Sequence, residues 1–404
     1  MPLPCHPPPP TFPSFNSKAL IPTLLPPSST TSIISNLTSD LTHLTKSFKT
    51  RYFRSNSGRD AAIWVHNRLE SIINDSGHPN ASVSYFNHSW VQPSVIARIQ
   101  GVSDTTIILS SHLDSLNLHL PFFLPAPGAN DNASGVAALL SIFQLLSSVP
   151  TTTFTTHLHY KNTLEFHFYS AEEAGFWGST DVFEDYNGLY RDIHSVLQFD
   201  MIGRISPNKD KNGIKGKGEI GIVNDFLDEK FKRFIELIAK EYTDINTVDT
   251  YCGYACSDHA SAIRYGYPGG LLTSGKLEDI NNDDYSHTAY DTVDRLDLSL
   301  ITEFVKFGVA WGVELGFDTE VSNGRGERVY MCDNGYPDGW MGGVRRFSAA
   351  RAADPAGFGL WILVLMVMLA VARPWEEVPV VMRVGRRVRR RVRRGYRVLV
   401  GEPG

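Results

Sequence analysis

Four cysteines in 404 residues are too few to hold the chain together as a disulfide scaffold, so an apolar core must do so. No internal repeat and no phosphate-binding glycine loop is present, which sets aside solenoids and the common nucleotide folds. Charge is nearly balanced, with 38 Lys+Arg against 43 Asp+Glu and a net charge of −5. The middle of the chain is acidic, so no nucleic-acid partner is expected. The amino end lacks both a charged start and an unbroken apolar stretch, because Pro22 interrupts Ala19-Leu20-Ile21. It is a poor export signal.

What is present divides into three. Residues 1–32 are rich in Pro, Ser and Thr and read as a disordered or pro-segment. Residues 33–318 have the composition of one large core, 42% of the chain being hydrophobic. Strand-like segments at 107–111, 162–170, 195–202, 218–223 and 268–274 alternate with helix-like segments at 135–147, 225–242 and 298–317. That alternation predicts an α/β fold with a mixed, mainly parallel central sheet flanked by helices. In residues 319–404 no lysine occurs, arginines become dense, and an uncharged apolar run covers 356–372. The run is short for a helix of about 20 residues across a bilayer. We read this stretch as a disordered tail or translated noncoding sequence. The alternative is a membrane anchor, with the arginines holding the tail in the cytoplasm and the body outside.

Within the middle segment, metal-type side chains stand at the ends of these elements. His112 closes the apolar run Ile107-Ile108-Leu109-Ser110-Ser111, and Asp114 lies two residues on. Ligating histidines usually donate their second ring N–H to a carboxylate or carbonyl, which makes Asp114 a candidate orienting partner; its other reading is a loop cap. Asp131 sits in a Gly/Asn/Asp/Ser loop just ahead of a helix, where a ligand role competes with capping. Asn132 or Ser134 could cap instead. Glu172 and Glu173 follow a strand and precede a Gly-bracketed turn. Two adjacent carboxylates there are costly to bury without a cation. Asp200 closes the strand Ser195–Phe199, and His287 precedes the last helix. Glu165, Asp181, Glu184 and Asp185 read as ordinary strand and helix-surface acids, and the remaining histidines as surface or satisfied core residues. Ligands at the carboxyl ends of successive parallel strands converge in one crevice. Two histidines and three carboxylates there suit a pair of zinc ions, with one glutamate left over for proton transfer. That points to a two-zinc hydrolase.

The segments Ser111–Ser115, Gly128–Gly135, Ser170–Gly175, Gln198–Gly203, Cys252–His259 and Ser286–Thr288 with Asp291-Thr292 resemble peptidase family M28, in its fungal leucine aminopeptidase branch. The likeness covers about residues 35–318. It implies a phosphorylase/hydrolase-like zinc-peptidase fold and removal of one amino-terminal residue, of hydrophobic leucine type, from peptides with a free amino terminus. It implies that Asp131 bridges two zinc ions per chain, with His112 and Asp200 completing one site and Glu173 and His287 the other. Glu172 would be the general base and acid, Tyr254 would hydrogen-bond the developing oxyanion, and Asp114 would support His112. A cis peptide after Asp131 and a Cys252–Cys256 disulfide are implied as well. An extra metal site is the alternative for the cysteines, though no nearby pair completes four ligands. A disulfide suits an oxidising compartment, hence a secreted protein, with vacuolar or membrane-anchored alternatives. Asn36, Asn74, Asn80 and Asn87 begin glycosylation triplets. Met201 and Tyr254 are candidates to line the pocket for the first residue. Two other functions stay open: a glutaminyl-cyclase-like acyltransferase on the same fold with one zinc, and a noncatalytic binding ectodomain.

Overall fold

The computed structural model describes residues 20–26, 28–149, 159–205, 218–281 and 285–317. The apolar run 356–372, Cys5 and Cys332 lie outside these residues.

Eight strands form one sheet: β1 (Ala81–Phe86), β2 (Ser94–Ile99), β3 (Thr106–His112), β4 (Thr163–Tyr169), β5 (Ile193–Phe199), β6 (Glu219–Val223), β7 (Asn246–Thr250) and β8 (Gly269–Ser274). Their order is β1-β2-β4-β3-β5-β8-β6-β7. Strands β4, β3, β5 and β8 run parallel at the centre, as does β7 against β6, whereas β1/β2, β2/β4 and β6/β8 are antiparallel. The mixed, mainly parallel sheet expected from the sequence is the one observed. The edge strand β1 was not read in the sequence, because Ala81–Phe86 carries a half-exposed pattern without a continuous apolar run, and the largely buried β2 beside it was missed as well.

The helices are α1 (Ile21–Leu24), α2 (Ser29–Lys46), α3 (Asn56–Ser76), α4 (Ser134–Ser147), α5 (Trp177–Gly188), α6 (Glu229–Tyr242), α7 (His259–Arg264), α8 (Leu277–Asn281) and α9 (Leu298–Gly316). Helix α6 starts where Asp228 Oδ1 accepts the Lys230 and Phe231 amides, and it buries Phe231, Phe234, Ile235 and Ile238 at helical spacing. Helices α4 and α9 are buried over nearly their whole length, and Phe231 and Phe307 flank Trp311 at 5.4 and 6.0 Å. Each such side chain contributes about 1.5–3 kcal/mol of burial.

Part of the amino-terminal segment is ordered: within residues 20–26 and 28–32, Ile21 and Leu24 of α1 join the core, Pro22 stands in the first turn where its missing N–H is harmless, and α2 begins at Ser29. One expectation needs correction. Glu165 is not a surface acid. Strand β4 is internal and buried on both faces, so alternation places no residue outside. Its carboxylate is met by His167 Nε2 and Tyr186 Oη at 2.9 and 2.8 Å, with Arg98 and Arg191 each at 3.5 Å.

The central parallel strands end on the same edge, with His112 opposite Tyr169 in the register. His112 is the last residue of β3, Glu172 and Glu173 follow β4, and Asp200 follows β5. Sheet topology alone therefore delivers the first carboxylates and one imidazole to one edge.

Candidate metal centre

Asp131 lies between two imidazoles and gives one oxygen to each. Its Oδ1 is 3.1 Å from His112 Nε2, and its Oδ2 is 3.0 Å from His287 Nε2. Asp200 Oδ1 completes the first group at 3.3 Å from His112 Nε2, and Glu173 Oε2 the second at 3.0 Å from His287 Nε2. In each trio the donor atoms lie within 4.8 Å of one another. The sequence's five ligand candidates thus come together as two trios sharing Asp131.

Local chemistry holds each of them. The Asp131–Asn132 peptide is cis. Asn132 turns its side chain into the sheet, donating to Ser111 Oγ (3.0 Å) and the Phe199 carbonyl (2.8 Å) while accepting from the Gly135 and Met201 amides. It thereby ties the ends of β3 and β5 to the start of α4, and it takes the capping work that would otherwise compete for Asp131. Asp291 receives the amides of Asn130 and Asp131 at 3.0 Å. Asp114 is fully buried and accepts the Glu172 and Glu173 amides on its two oxygens, at 3.0 and 3.2 Å. Its carbonyl is 3.2 Å and its Oδ1 3.6 Å from His112 Nδ1, leaving Nε2 for the cluster. His287 holds a left-handed backbone, φ +58°, which is uncommon for a non-glycine residue and marks a position the surroundings impose.

Sequence reading assigns no role to Arg51, Ser257, Asp258 or Asp291, and names Asn132 only as a candidate cap. Arg51 is fully buried below the loop that carries Asp131 and donates to the carbonyls of Leu113 (2.8 Å), Pro127 and Gly128 (2.9 Å). Burial lowers its pKa to about 10, against the pull of Asp291, Asp114, Asp131 and Glu173. Ser257 donates to Asp200 Oδ2 at 2.7 Å, and Gln198 Nε2 holds Asp258 Oδ2 at 3.1 Å. No local period flags such residues. Only the quoted motif text, which includes Ser257, Asp258 and Asp291, could have drawn notice to them.

Charge explains what the cluster needs. Burial pushes Glu172 well up, with His112 pulling down and Glu173 and Asp200 adding to the rise. Burial and Asp131 raise Glu173 to about 7. Burial raises Asp258 to about 7 against the pull of His112. For His287, burial is outweighed by hydrogen bonds to Asp131 and Glu173, which take it up to about 12. Asp131 is itself held low: burial opposes ionisation, but hydrogen bonds from His112 and His287 win. Carboxylates this crowded and buried demand more positive charge than one arginine provides. Glu173 Oε1 and Asp200 Oδ1 are buried without a hydrogen-bond partner, each on a different trio. The donor set, imidazole nitrogen and carboxylate oxygen, suits zinc. The residues fit divalent cations at both trios.

Cys252 and Cys256 form a disulfide. The loop they close includes Tyr254, which is half exposed, and leads directly into Ser257. Asp225 anchors it by accepting the Cys252 and Gly253 amides at 2.6 and 3.1 Å. Among the described residues no helix is long and apolar enough to cross a membrane.

Comparison with known proteins adds to this geometry. The model of peptidase family M28 matches residues 94–310. Leucine aminopeptidase 1 of Penicillium rubens is 40% identical over 285 residues, covering 70% of this chain and 72% of that one. Among solved structures, the LapA aminopeptidase of Legionella pneumophila aligns with a TM-score of 0.66 at 25% identity, covering 76% of this chain and 77% of its own. Glutaminyl cyclase of Porphyromonas gingivalis aligns at 0.53 and 15% identity over 70% of this chain and 97% of its own, a likeness of fold alone.

Proposed function

The chain belongs to peptidase family M28 and is a metal-dependent aminopeptidase, and from that premise we propose that it removes a hydrophobic, leucine-type residue from the amino terminus of peptides with the help of two zinc ions. His112, Asp131 and Asp200 hold one ion and Asp131, Glu173 and His287 the other. The observation that carries this reading is the shared Asp131, with one oxygen toward each trio. When bound, such ions lower the pKa of water toward neutrality and polarise a carbonyl.

The protein's own groups divide the remaining work. Glu172 belongs to neither trio, yet it stands next to Glu173 and within the fields of His112 and Asp200. Its carboxylate is free to take a proton from the attacking water and return it to the leaving amine. Asp114 fixes the main chain beneath Glu172 and Glu173 and keeps His112 in the tautomer that presents Nε2. Tyr254, half exposed beyond Ser257, is the donor for the developing oxyanion. Met201 and Tyr254 line the pocket for the first side chain, on the Asp200 side. The disulfide favours an oxidising, extracellular setting.

A shared carboxylate between two trios favours the peptidase over a one-zinc cyclase. Incubation with an amino-terminal glutamine peptide tests this: release of free glutamine supports the reading, and ring closure with loss of ammonia overturns it.

A further inference from the structure

The loop between His112 and Asp131 carries a run of exposed apolar side chains. Leu118, Leu120, Phe122, Phe123 and Leu124 are between 37 and 71% exposed, and none joins the core. Large side chains scattered singly on a surface need no explanation, but a contiguous set does. The segment 117–126 also has no charged residue, His119 being its one titratable group.

This loop is built rather than loose. At its base Ser115 Oγ donates to the Ala126 carbonyl (2.7 Å) and accepts the Arg51 amide (3.0 Å). Asn117 Nδ2 donates to the Pro125 carbonyl (2.9 Å), and the Ala126 amide to Lys49 (2.9 Å). At its tip the amides of Phe123 and Leu124 both donate to the Leu120 carbonyl. The apolar side chains are therefore presented on a pinned backbone.

Two contacts place it beside one trio. The Leu118 amide donates to the carbonyl of His287 at 3.3 Å. Phe122 meets Tyr52 edge-on at 4.9 Å, Tyr52 meets Phe53, and Phe53 meets Trp177, which follows the Glu172–Glu173 turn. The loop thus touches His287 directly, and its aromatic extension reaches Trp177, four residues after Glu173. This end of the cluster is also the open one: the His287 side chain is 32% exposed, that of His112 1%.

Resting on the aminopeptidase reading above, we infer that this loop binds the part of the substrate beyond the scissile bond and selects bulky apolar side chains there. The two flanks of a scissile carbonyl must leave in opposite directions. With the first residue on the Asp200 and Met201 side, the rest of the peptide departs past Glu173 and His287, over Leu118, Phe122 and Phe123. An uncharged surface offers an acidic or basic side chain nothing and an apolar one a partner.

The test compares kcat/KM of the full chain, with zinc, on Leu-Phe-Gly and Leu-Ser-Gly, and on leucine amide, which has no downstream side chain. Wild type should favour Leu-Phe-Gly by about tenfold, the ratio that about 1.4 kcal/mol of differential binding yields. In the F122S/F123S double variant, and separately in L118S, that ratio should fall toward one. The ratio is internal to each preparation, so loss of folded protein cancels. Equal rates for the two tripeptides in wild type, or an unchanged ratio in both variants, would overturn the inference while leucine amide hydrolysis leaves the parent reading standing. Failure on leucine amide as well would overturn both.

Discussion

Asp114 Oδ1 accepts the main-chain amide of Glu172 at 3.0 Å, from a position fully shielded from water. One buried carboxylate therefore holds the main chain of Glu172, the proposed proton carrier, and stands 3.6 Å from the ring of His112, whose Nδ1 meets the Asp114 carbonyl at 3.2 Å. Replacement by Asn keeps the shape but loses the charge and one acceptor. Asp114→Asn should lower zinc affinity or kcat/KM by about 10- to 100-fold, the range expected when a partner of a ligating histidine is removed. Zinc titration of the chelated variant, followed by leucine-anilide hydrolysis, measures both. Wild-type values for both would refute the dual role.

In the proposed mechanism Glu172 carries the proton and is not a ligand, since it belongs to neither trio. Glu172→Gln should therefore reduce kcat by about 10²–10⁴ while zinc content stays that of wild type. Elemental analysis and steady-state kinetics on one preparation separate the two effects. Full activity would sink the assignment, and loss of zinc would make Glu172 a ligand.

Glu165 offers a stability test remote from the metals. Burial opposes its ionisation, but the hydrogen bond and charge of His167 and the charge of Arg98 outweigh it and hold the carboxyl below its usual range. A depressed carboxylate stabilises the fold above its unfolded pKa and loses that contribution as pH falls through the folded value. Glu165→Gln should thus cost about 1–3 kcal/mol near pH 7, since it leaves the partly buried Arg98 and Arg191 without their counter-charge. The gap between variant and wild type, from urea midpoints, should narrow below about pH 4. A gap independent of pH would refute the electrostatic origin.

Gly135 tests the link between fold and site. A Cβ there would meet Ser111 Oγ at 2.5 Å, Asn132 Oδ1 at 2.7 Å and the Phe199 carbonyl at 2.7 Å, the atoms that Asn132 ties together. Gly135→Ala should cost about 1–3 kcal/mol by overpacking and displace the cluster. We expect kcat/KM to fall at least about tenfold, because misplacing a positioned group by an ångström costs that much or more. A variant as active and stable as wild type would show that the junction tolerates movement.

These relations mark what the sequence could reveal. Strands β3, β4 and β5 were legible because they are short apolar runs, and the residues at their ends were legible because parallel strands deliver them to one edge. Singly, each candidate had a local rival: Asp131 could have been a cap until Asn132 was seen to hold the Gly135 amide. Arg51 was not legible at all. It serves carbonyls more than sixty residues away, so no local pattern records its work. Glu165 was misread for the opposite reason, since a lone acid in a strand suggests an exposed face that the topology does not supply.

The proposed two-metal site turns on the shared carboxylate of Asp131, and zinc counting on Asp131→Ala tests that sharing. Wild-type protein, dialysed and analysed for metal per chain, should hold two zinc ions. Because Asp131 offers an oxygen to both trios, its removal should deplete both sites together, leaving well under one zinc per chain in a protein that still folds by circular dichroism. A folded Asp131→Ala variant that retains two zinc ions would show that Asp131 bridges nothing.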